Sequence, residues 1–254
     1  MKIRILPSSF DSSGEKQYLT TYLINGTIAI DAGCVGMYGD PSDQSRISHL
    51  FLTHCHADHI ASLPTFLDNA HKGEEDCVIL YGHPEMLQTL SKDVFNDRIW
   101  PAFRHLGSED KPFVRLVDME AETAVHVADL RITPVHVDHV VTTFGYIVAD
   151  ESSVVIFGAD SGPTNRIWEI ARGLDHVKAA FMEASFPQEL QELALRMGHL
   201  TPDLLKKEIA KLPEHTSIIA THIKPKYRER IIEELRSLEL RQLEIGTSSK
   251  EYVF

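Results

Sequence analysis

The run His54-Cys55-His56-Ala57-Asp58-His59 constrains this chain more than any other feature. It directly follows an apolar, strand-like stretch, Leu50-Phe51-Leu52-Thr53. Three imidazoles and a carboxylate in one short stretch have no use in a packed core, where each buried polar atom needs a partner. They suit a zinc-type, or an iron- or manganese-type, centre. The plain alternative is a surface loop that carries them without purpose. Cys55 alternates away from His54 and His56 and reads as a small buried residue, not a ligand.

Four further segments place a ligand type just after an apolar strand. They are residues 133–139, with His136 and His139; 155–162, with Asp160; 181–185 together with 198–201, with Glu183 and His199; and 218–222, with His222. Strand ends are where α/β proteins gather functional groups, because loops held by a rigid sheet converge there. One such segment is a weak signal, and five in one chain make coincidence a poor explanation.

The bulk properties exclude several classes. The 254 residues are 43% hydrophobic, enough for a sizeable core, and no linker is long enough to demand two domains, so one domain over 1–254 is expected. The formal net charge of -12 argues against holding nucleic acid on a broad basic surface. It does not exclude a small anionic substrate, because a metal centre supplies positive charge locally. Cys34, Cys55 and Cys77 are odd in number with no repeated spacing, which points to a reducing compartment, the cytoplasm. Residues 1–7 are too soon broken by Pro7 to be a signal segment, and no apolar run is long enough to span a membrane.

Along the chain, strands are expected over 3–6, 18–24, 27–31, 50–53 and 77–81, with Asn25-Gly26 as a hairpin turn. A second set is expected over 123–127, 130–137, 144–149, 154–158 and 217–220. Helices are expected over 44–49, 60–70, 85–90, 166–173, 188–197 and 202–210, and a charged outer helix over 227–243. Leu63, Phe66, Leu67 and Ala70 share one side of the 60–70 helix, and Thr201-Pro202 has the form of a capped helix start. Residues 95–111 read either as an irregular cover over a cleft or as a long connection. Strands followed by helices in each half favour a layered α/β fold.

With these pieces in place the chain resembles the metallo-β-lactamase-fold hydrolases, and within them the class II 3′,5′-cyclic-nucleotide phosphodiesterases. His54 to His59 matches the superfamily pattern His-x-His-x-Asp-His. The other matching pieces are Asp31-Ala32-Gly33, 142–146, 158–164, Glu183-Ala184-Ser185-Phe186-Pro187, Gly198-His199-Leu200-Thr201-Pro202 and Thr221-His222-Ile223-Lys224-Pro225. They span most of 18–225, and the last three are much narrower than the first motif. Ribonuclease Z, the tRNA 3′-processing enzyme, is a more distant likeness. The pattern is broken after His59, where Ile60-Ala61-Ser62 stands in place of glycine, and at Ala57, where leucine is common. Neither change removes a ligand.

The resemblance implies an αββα sandwich of two mixed sheets flanked by helices. It also implies two divalent ions, zinc first, with manganese or iron as alternatives. One ion would take His54, His56 and His139, the other Asp58, His59 and His222, with Asp160 bridging both. His139 is preferred to His136 for its distance from Phe144-Gly145-Tyr146. His136 reads equally as a supporting donor or a packed ring.

Two such ions, roughly 3.5–4 Å apart, hold a hydroxide between them and clamp a phosphoryl group. The implied reaction is hydrolysis of cAMP or cGMP to the 5′-nucleotide. His199 is the candidate acid or phosphate donor, Glu183 would orient its ring, and Asp58 would assist the attacking water while bound to metal. Asp31 is expected to order the ligand loop. Lys224, Thr142 and Thr143 read equally as substrate contacts or as surface residues. Trp100, Phe103 and His105 read as packing rather than as a stacking platform for a base. The alternatives are a ribonuclease Z-like endonuclease, disfavoured by the acidic charge, a hydrolase of another small phosphodiester, and a non-catalytic metal-binding domain. A small-molecule substrate and a homodimer are the partners the likeness implies.

Overall fold

The computed structural model describes residues 1–9, 16–71, 77–108, 112–248 and 250–254. Short strands with apolar residues on both faces build two sheets that lie against each other, each covered by helices on its far side. The first sheet uses β1 (Lys2–Ile5), β2 (Tyr22–Ile24), β3 (Ile28–Ile30), β4 (His49–Phe51), β5 (Val78–Gly82) and β6 (Val114–Asp118). The second uses β7 (Val125–Val127), β8 (Leu130–His136), β9 (Phe144–Ala149), β10 (Val154–Phe157), β11 (Val177–Glu183), β12 (Ser217–Thr221) and β13 (Leu243–Ile245). A last strand, β14 (Glu251–Val253), returns to pair with β1. Each sheet has seven strands, in the orders β14-β1-β2-β3-β4-β5-β6 and β13-β12-β11-β10-β9-β8-β7. Both mix parallel and antiparallel pairs, and the expected αββα sandwich is present.

The two-residue period of a strand explains the layers. In β9, Phe144, Tyr146 and Val148 face the core between the sheets, while Ile147 and Ala149 belong to the outer cluster under the helices. In β10, Val155 and Phe157 point inward while Val154 and Ile156 point outward. Strands buried on both faces have no polar side to display, so they read as continuous apolar runs. Between the sheets Tyr22, Phe157 and Phe181 form an aromatic cluster with ring centroids 5.1–5.4 Å apart.

The helices are α1 (Pro41–Gln44), α2 (Ala57–Ile60), α3 (Leu63–Ala70), α4 (Pro84–Thr89), α5 (Arg166–Arg172), α6 (Gln191–Arg196), α7 (Pro202–Ile209) and α8 (Arg228–Ser237). In α3, Leu63, Phe66, Leu67 and Ala70 form the buried face that the spacing implies. Among the described residues, no helix is long and apolar enough to cross a membrane.

Several local expectations are corrected. The helix expected over 44–49 lies earlier, because the Asp40 carboxylate caps Ser42 N and Asp43 N and starts α1 there. Residues 18–21 do not join a strand; their backbone bonds to loops instead, Thr20 N to Asp58 O and Gly33 N to Thr20 O. Thr201 precedes Pro202 as expected, but its hydroxyl is buried without a partner and caps nothing. The helix expected to reach 243 stops at Ser237, because Leu243 is taken into β13 beside Ile218. The edge strand β6 escaped the sequence reading because its burial does not alternate.

Residues 95–108 are an irregular, self-packed connection. Phe95 is buried and stacks on Phe103 at 4.0 Å, Asn96 Oδ1 accepts from Arg98 N and Ile99 N, and Asp97 Oδ1 accepts from Ala102 N. Trp100 packs at the edge of the core between the sheets. The rest of the segment, 109–111, lies outside the described residues.

Candidate metal centre

The residues singled out in five separate segments meet at one end of the sandwich. β3 and β4 run parallel, as do β10, β11 and β12. β8 runs the same way as β10, since each is antiparallel to β9. The loops that follow these strands therefore emerge together. They carry Asp31, Thr53 to His59, His139, Asp160, Glu183 and His222.

Two clusters of donor atoms form, each with its atoms within 4.8 Å of one another: His54, His56, His139 and Asp160; and Asp58, His59, Asp160 and His222. Asp160 belongs to both. Its Oδ2 lies 3.8 Å from His54 Nε2, and its Oδ1 lies 3.4 Å from His59 Nε2 and 3.3 Å from His222 Nε2. His222 Nε2 is also 3.0 Å from Asp58 Oδ2. Glu183 and His199 form a third group with His222.

The outer nitrogens show which ring atoms face inward. Thr53 N and its hydroxyl donate to Asp31, so that hydroxyl accepts from His54 Nδ1 at 3.0 Å. His59 Nδ1 donates to Asp31 Oδ2 at 2.7 Å, and His139 Nδ1 donates to Gly198 O at 2.8 Å. The Ser185 hydroxyl donates to His222 O and accepts from His222 Nδ1 at 2.9 Å. With Nδ1 committed in these four rings, Nε2 of each is turned towards the centre, where the neutral ring offers a lone pair, as metal-ligating histidines do. Asp31 thus orders the ligand loop, as its place after a strand suggested.

The donor set fits divalent cations. His54 Nε2 is buried and has no hydrogen-bond partner among the described residues. His59 Nε2 and His222 Nε2 face each other at 3.2 Å, and His56 Nδ1 faces His139 Nε2 at 3.3 Å. Bare nitrogens in such opposition are explained by a cation between them, and imidazole with carboxylate is a donor set for zinc, iron or manganese.

Burial drives His54 well below the ordinary histidine value, and the neighbouring His59 adds to it. Burial likewise lowers His56 and His139. These rings stay neutral and able to ligate. Burial opposes ionisation of Asp160, but His222 and His59 outweigh it and hold the carboxyl well below its usual range. Burial also opposes protonation of His59, yet Asp160 and Asp31 outweigh it and raise this ring well above its ordinary value.

In the metal-free protein a proton therefore sits on His59 where a cation would bind. Metal uptake must displace it, so affinity falls as pH falls. Titration of zinc into metal-free protein in buffers of different ionisation enthalpy is expected to show proton release, with weaker binding at pH 6 than at pH 8. Binding that is independent of both buffer and pH would contradict this. Loading at about 100 times the dissociation constant is expected to stabilise the fold by about 2.7 kcal/mol per site, read as a chelator-sensitive rise in Tm.

Left-handed backbone sets the loops. Asp31, Ala159 and His222 have φ of 61°, 54° and 51° at the ends of β3, β10 and β12. Such conformations cost roughly 1–3 kcal/mol each and persist where the surroundings over-determine them. Gly198, at φ 65°, lies against His139; a Cβ there would meet His139 Nδ1 at 2.8 Å.

Several supporting residues were not assigned these roles from sequence. Thr53 and Ser185 orient ligand rings, although Ser185 stands in the Glu183-Ala184-Ser185 piece. Tyr146 OH donates to Leu52 O at 2.6 Å, Phe144 N donates to Thr53 O at 2.9 Å, and Tyr22 OH bonds Thr221 Oγ1 at 2.8 Å. The first two bonds tie the second sheet to the ligand loop of the first, and the third ties β12 to β2. Long-range partners of this kind leave no local signal.

Other candidates fall away from the centre. His136 is exposed and its ring packs 4.8 Å from Phe144. Three more stand at the margins of the centre: Lys224 Nζ lies over the Phe186 ring at 5.2 Å in the wall beside His222, and Thr142, which bonds Glu85, and Thr143, which bonds Val141 O, stand beside His139. Cys55 faces Met86 O, and burial pushes its thiol up to about 12, so it is no ligand.

Comparison with known proteins agrees with this fold. A family profile described as "Beta-lactamase superfamily domain" matches residues 31–223. The chain is 25% identical to a "Probable 3′,5′-cyclic-nucleotide phosphodiesterase" of Yersinia pestis, covering 80% of this chain and 64% of that one. It is 26% identical to "3′,5′-cyclic-nucleotide phosphodiesterase 1" of Saccharomyces cerevisiae, covering 76% and 62%. It thus spans less than two thirds of the length of these curated relatives. The crystal structure of unliganded yeast PDE1 superimposes with a TM-score of 0.76 at 20% identity, over 96% of both chains. Human tRNase Z, short form, superimposes at 0.67 with 12% identity, over 100% and 99%. At such identities these two structures show a shared fold alone.

Proposed function

Because the chain belongs to the beta-lactamase superfamily, we propose that it is a two-metal phosphodiesterase that hydrolyses 3′,5′-cyclic nucleotides to 5′-nucleotides. The observation that carries the reading is Asp160, whose two carboxylate oxygens face two separate sets of imidazoles. His54, His56 and His139 would hold one ion, and Asp58, His59 and His222 the other, with zinc the first choice for this donor set. The naming of the curated relatives supports the substrate class. The net charge of -12 disfavours a tRNA-processing role.

When bound, paired divalent ions neutralise phosphoryl charge and lower the pKa of water enough for attack near neutral pH. The chain's own groups do the rest. Asp58 stands beside His222 with its carboxyl held ionised: burial opposes this, but the hydrogen bond and charge of His222 outweigh it. Asp58 would orient the attacking water. Glu183 Oε1 accepts from His199 Nδ1 at 2.7 Å. Burial opposes protonation of His199, but the Glu183 charge and hydrogen bond raise this ring above its ordinary value. It therefore keeps a proton for its other nitrogen, Nε2, to give to the leaving ribose oxygen or to hold against a phosphoryl oxygen.

Glu183 is itself fixed, accepting from Ser161 N, Ser185 N and Leu200 N. His199→Gln is expected to lower kcat about 10²- to 10⁴-fold with metal content unchanged, as for loss of a general acid. Elemental analysis beside the kinetics checks this, since equal loss of metal would make His199 a ligand instead.

The function is tested by incubating zinc-loaded and chelator-treated protein with 3′,5′-cAMP and 3′,5′-cGMP. Conversion to the 5′-nucleotide by the loaded protein alone is expected. No turnover of either by protein that retains two ions would overturn the substrate class.

A further inference from the structure

Two depressions flank the metal centre, and their chemistry differs. One opens beside His139 and is lined by Glu85, Val140, Val141 and Thr142, with no lysine or arginine in its wall. The other is an open pocket of about 140 Å³ that begins at Asp58 and His222. Its walls bring together Leu19 and Ile223, the cations Lys224 and Arg228, and the ring of Tyr18. Tyr18 is 50% exposed, although it is a large aromatic side chain.

The Tyr18 wall is built, not draped. Tyr18 N and Leu19 N both donate to Ser8 Oγ, at 2.8 and 3.0 Å, and Thr20 N donates to Asp58 O at 2.9 Å. The wall is therefore tied directly to the metal-ligand loop. On the opposite side Lys224 and Arg228 follow His222 on the next turn of chain.

We infer that this pocket receives the nucleoside of a nucleoside phosphate, with Tyr18 as the stacking surface for the base. An exposed aromatic face next to apolar walls suits a flat heterocycle, and base stacking on such rings tolerates any base. Lys224 and Arg228 offset the charge of the attached phosphate, whereas the Glu85 depression would repel it. The platform for a base thus lies at Tyr18 and not at Trp100 or Phe103, which pack on the core.

The assignment rests on the phosphodiesterase reading, but its test does not need turnover. Binding of 5′-AMP, ribose 5-phosphate and inorganic phosphate to zinc-loaded protein is measured by calorimetry. The wild type is expected to bind 5′-AMP at least about tenfold more tightly than ribose 5-phosphate. Tyr18→Ala is expected to reduce that ratio to within about threefold, and Tyr18→Phe to retain it.

Equal affinities in the wild type, or a ratio that survives Tyr18→Ala, would overturn the pocket assignment even if cAMP is hydrolysed. A Tyr18-dependent ratio in a protein that leaves cyclic nucleotides intact would keep the pocket and discard the cyclic substrate. Because each ratio is taken within one protein, a general loss of metal or stability in a variant cancels from it.

Discussion

Asp160→Ala is expected to lower kcat/KM for 3′,5′-cAMP by about 10³-fold or more, equivalent to roughly 4 kcal/mol of transition-state stabilisation. Bound metal should fall from two ions to one or fewer. The carboxylate is 2% exposed and is the only anion within reach of His54 Nε2, among the described residues, in the ion-pair geometry. Without it, His54 Nε2 loses its anionic partner, and His59 Nε2 and His222 Nε2 keep only the Asp58 carboxylate among the described residues. Each cluster would lose a ligand at once, unlike a substitution of His56 or Asp58, which touches one cluster. Elemental analysis and steady-state kinetics on the same preparation decide the matter. Two ions retained with unchanged kinetics would refute the bridging role, and loss of activity with both ions retained would make Asp160 a proton carrier instead.

Gly33→Ala should be the most damaging substitution outside the ligands. A Cβ at Gly33 would stand 2.1 Å from Asp58 O, 2.6 Å from Thr20 N and 2.7 Å from Thr20 O. All three are backbone atoms, so no side-chain rotation relieves the clash. The bonds from Thr20 N to Asp58 O and from Gly33 N to Thr20 O would both be forced apart. The expected cost is about 3 kcal/mol, at the upper end for overpacking. In a chain of this size that lowers Tm by roughly 6–12 °C. Zinc affinity should weaken as well, because Asp58 is carried on the displaced loop.

Gly26→Ala is the matched control. That residue has φ of 76°, but a Cβ there would meet nothing within 4 Å. It should cost only the left-handed backbone penalty, about 1 kcal/mol. Thermal unfolding of both variants with and without chelator separates the two effects, and equal losses would show that the crowding at Gly33 has no consequence.

The candidate donors were legible in the sequence because a metal centre needs particular donor atoms. Those atoms stand at strand ends, where an apolar run stops and a polar residue follows at once. His54, Asp160, Glu183 and His222 each follow such a run, and the structure brings all four together. The layered α/β class was legible as well, from strands followed by helices in each half, whereas the sandwich of two sheets came through the family resemblance.

Local periodicity was a poorer guide where a distant strand competed for the same residues. The charged stretch after Tyr227 keeps a helical pattern as far as Leu243. Pairing of Leu243 with Ile218 in a parallel ladder nevertheless claims the residues beyond Ser237, where the helix ends. Likewise, 18–21 has the composition of a strand, but its backbone is spent on Ser8, Asp58 and Gly33.

By itself, then, the sequence determined which atoms are available to hold cations and how far each lies from a strand end. Only the tertiary structure decided which nitrogen of each ring faces inward. That choice depends on Asp31, Thr53, Ser185 and Gly198 O, residues that reach the rings across the fold as well as along the chain. The open pocket at Tyr18 is also a tertiary product, since its two walls are some two hundred residues apart in sequence. Donor chemistry is a property of single residues, whereas tautomer, pocket and charge environment are properties of pairs that only the packed sheets bring together.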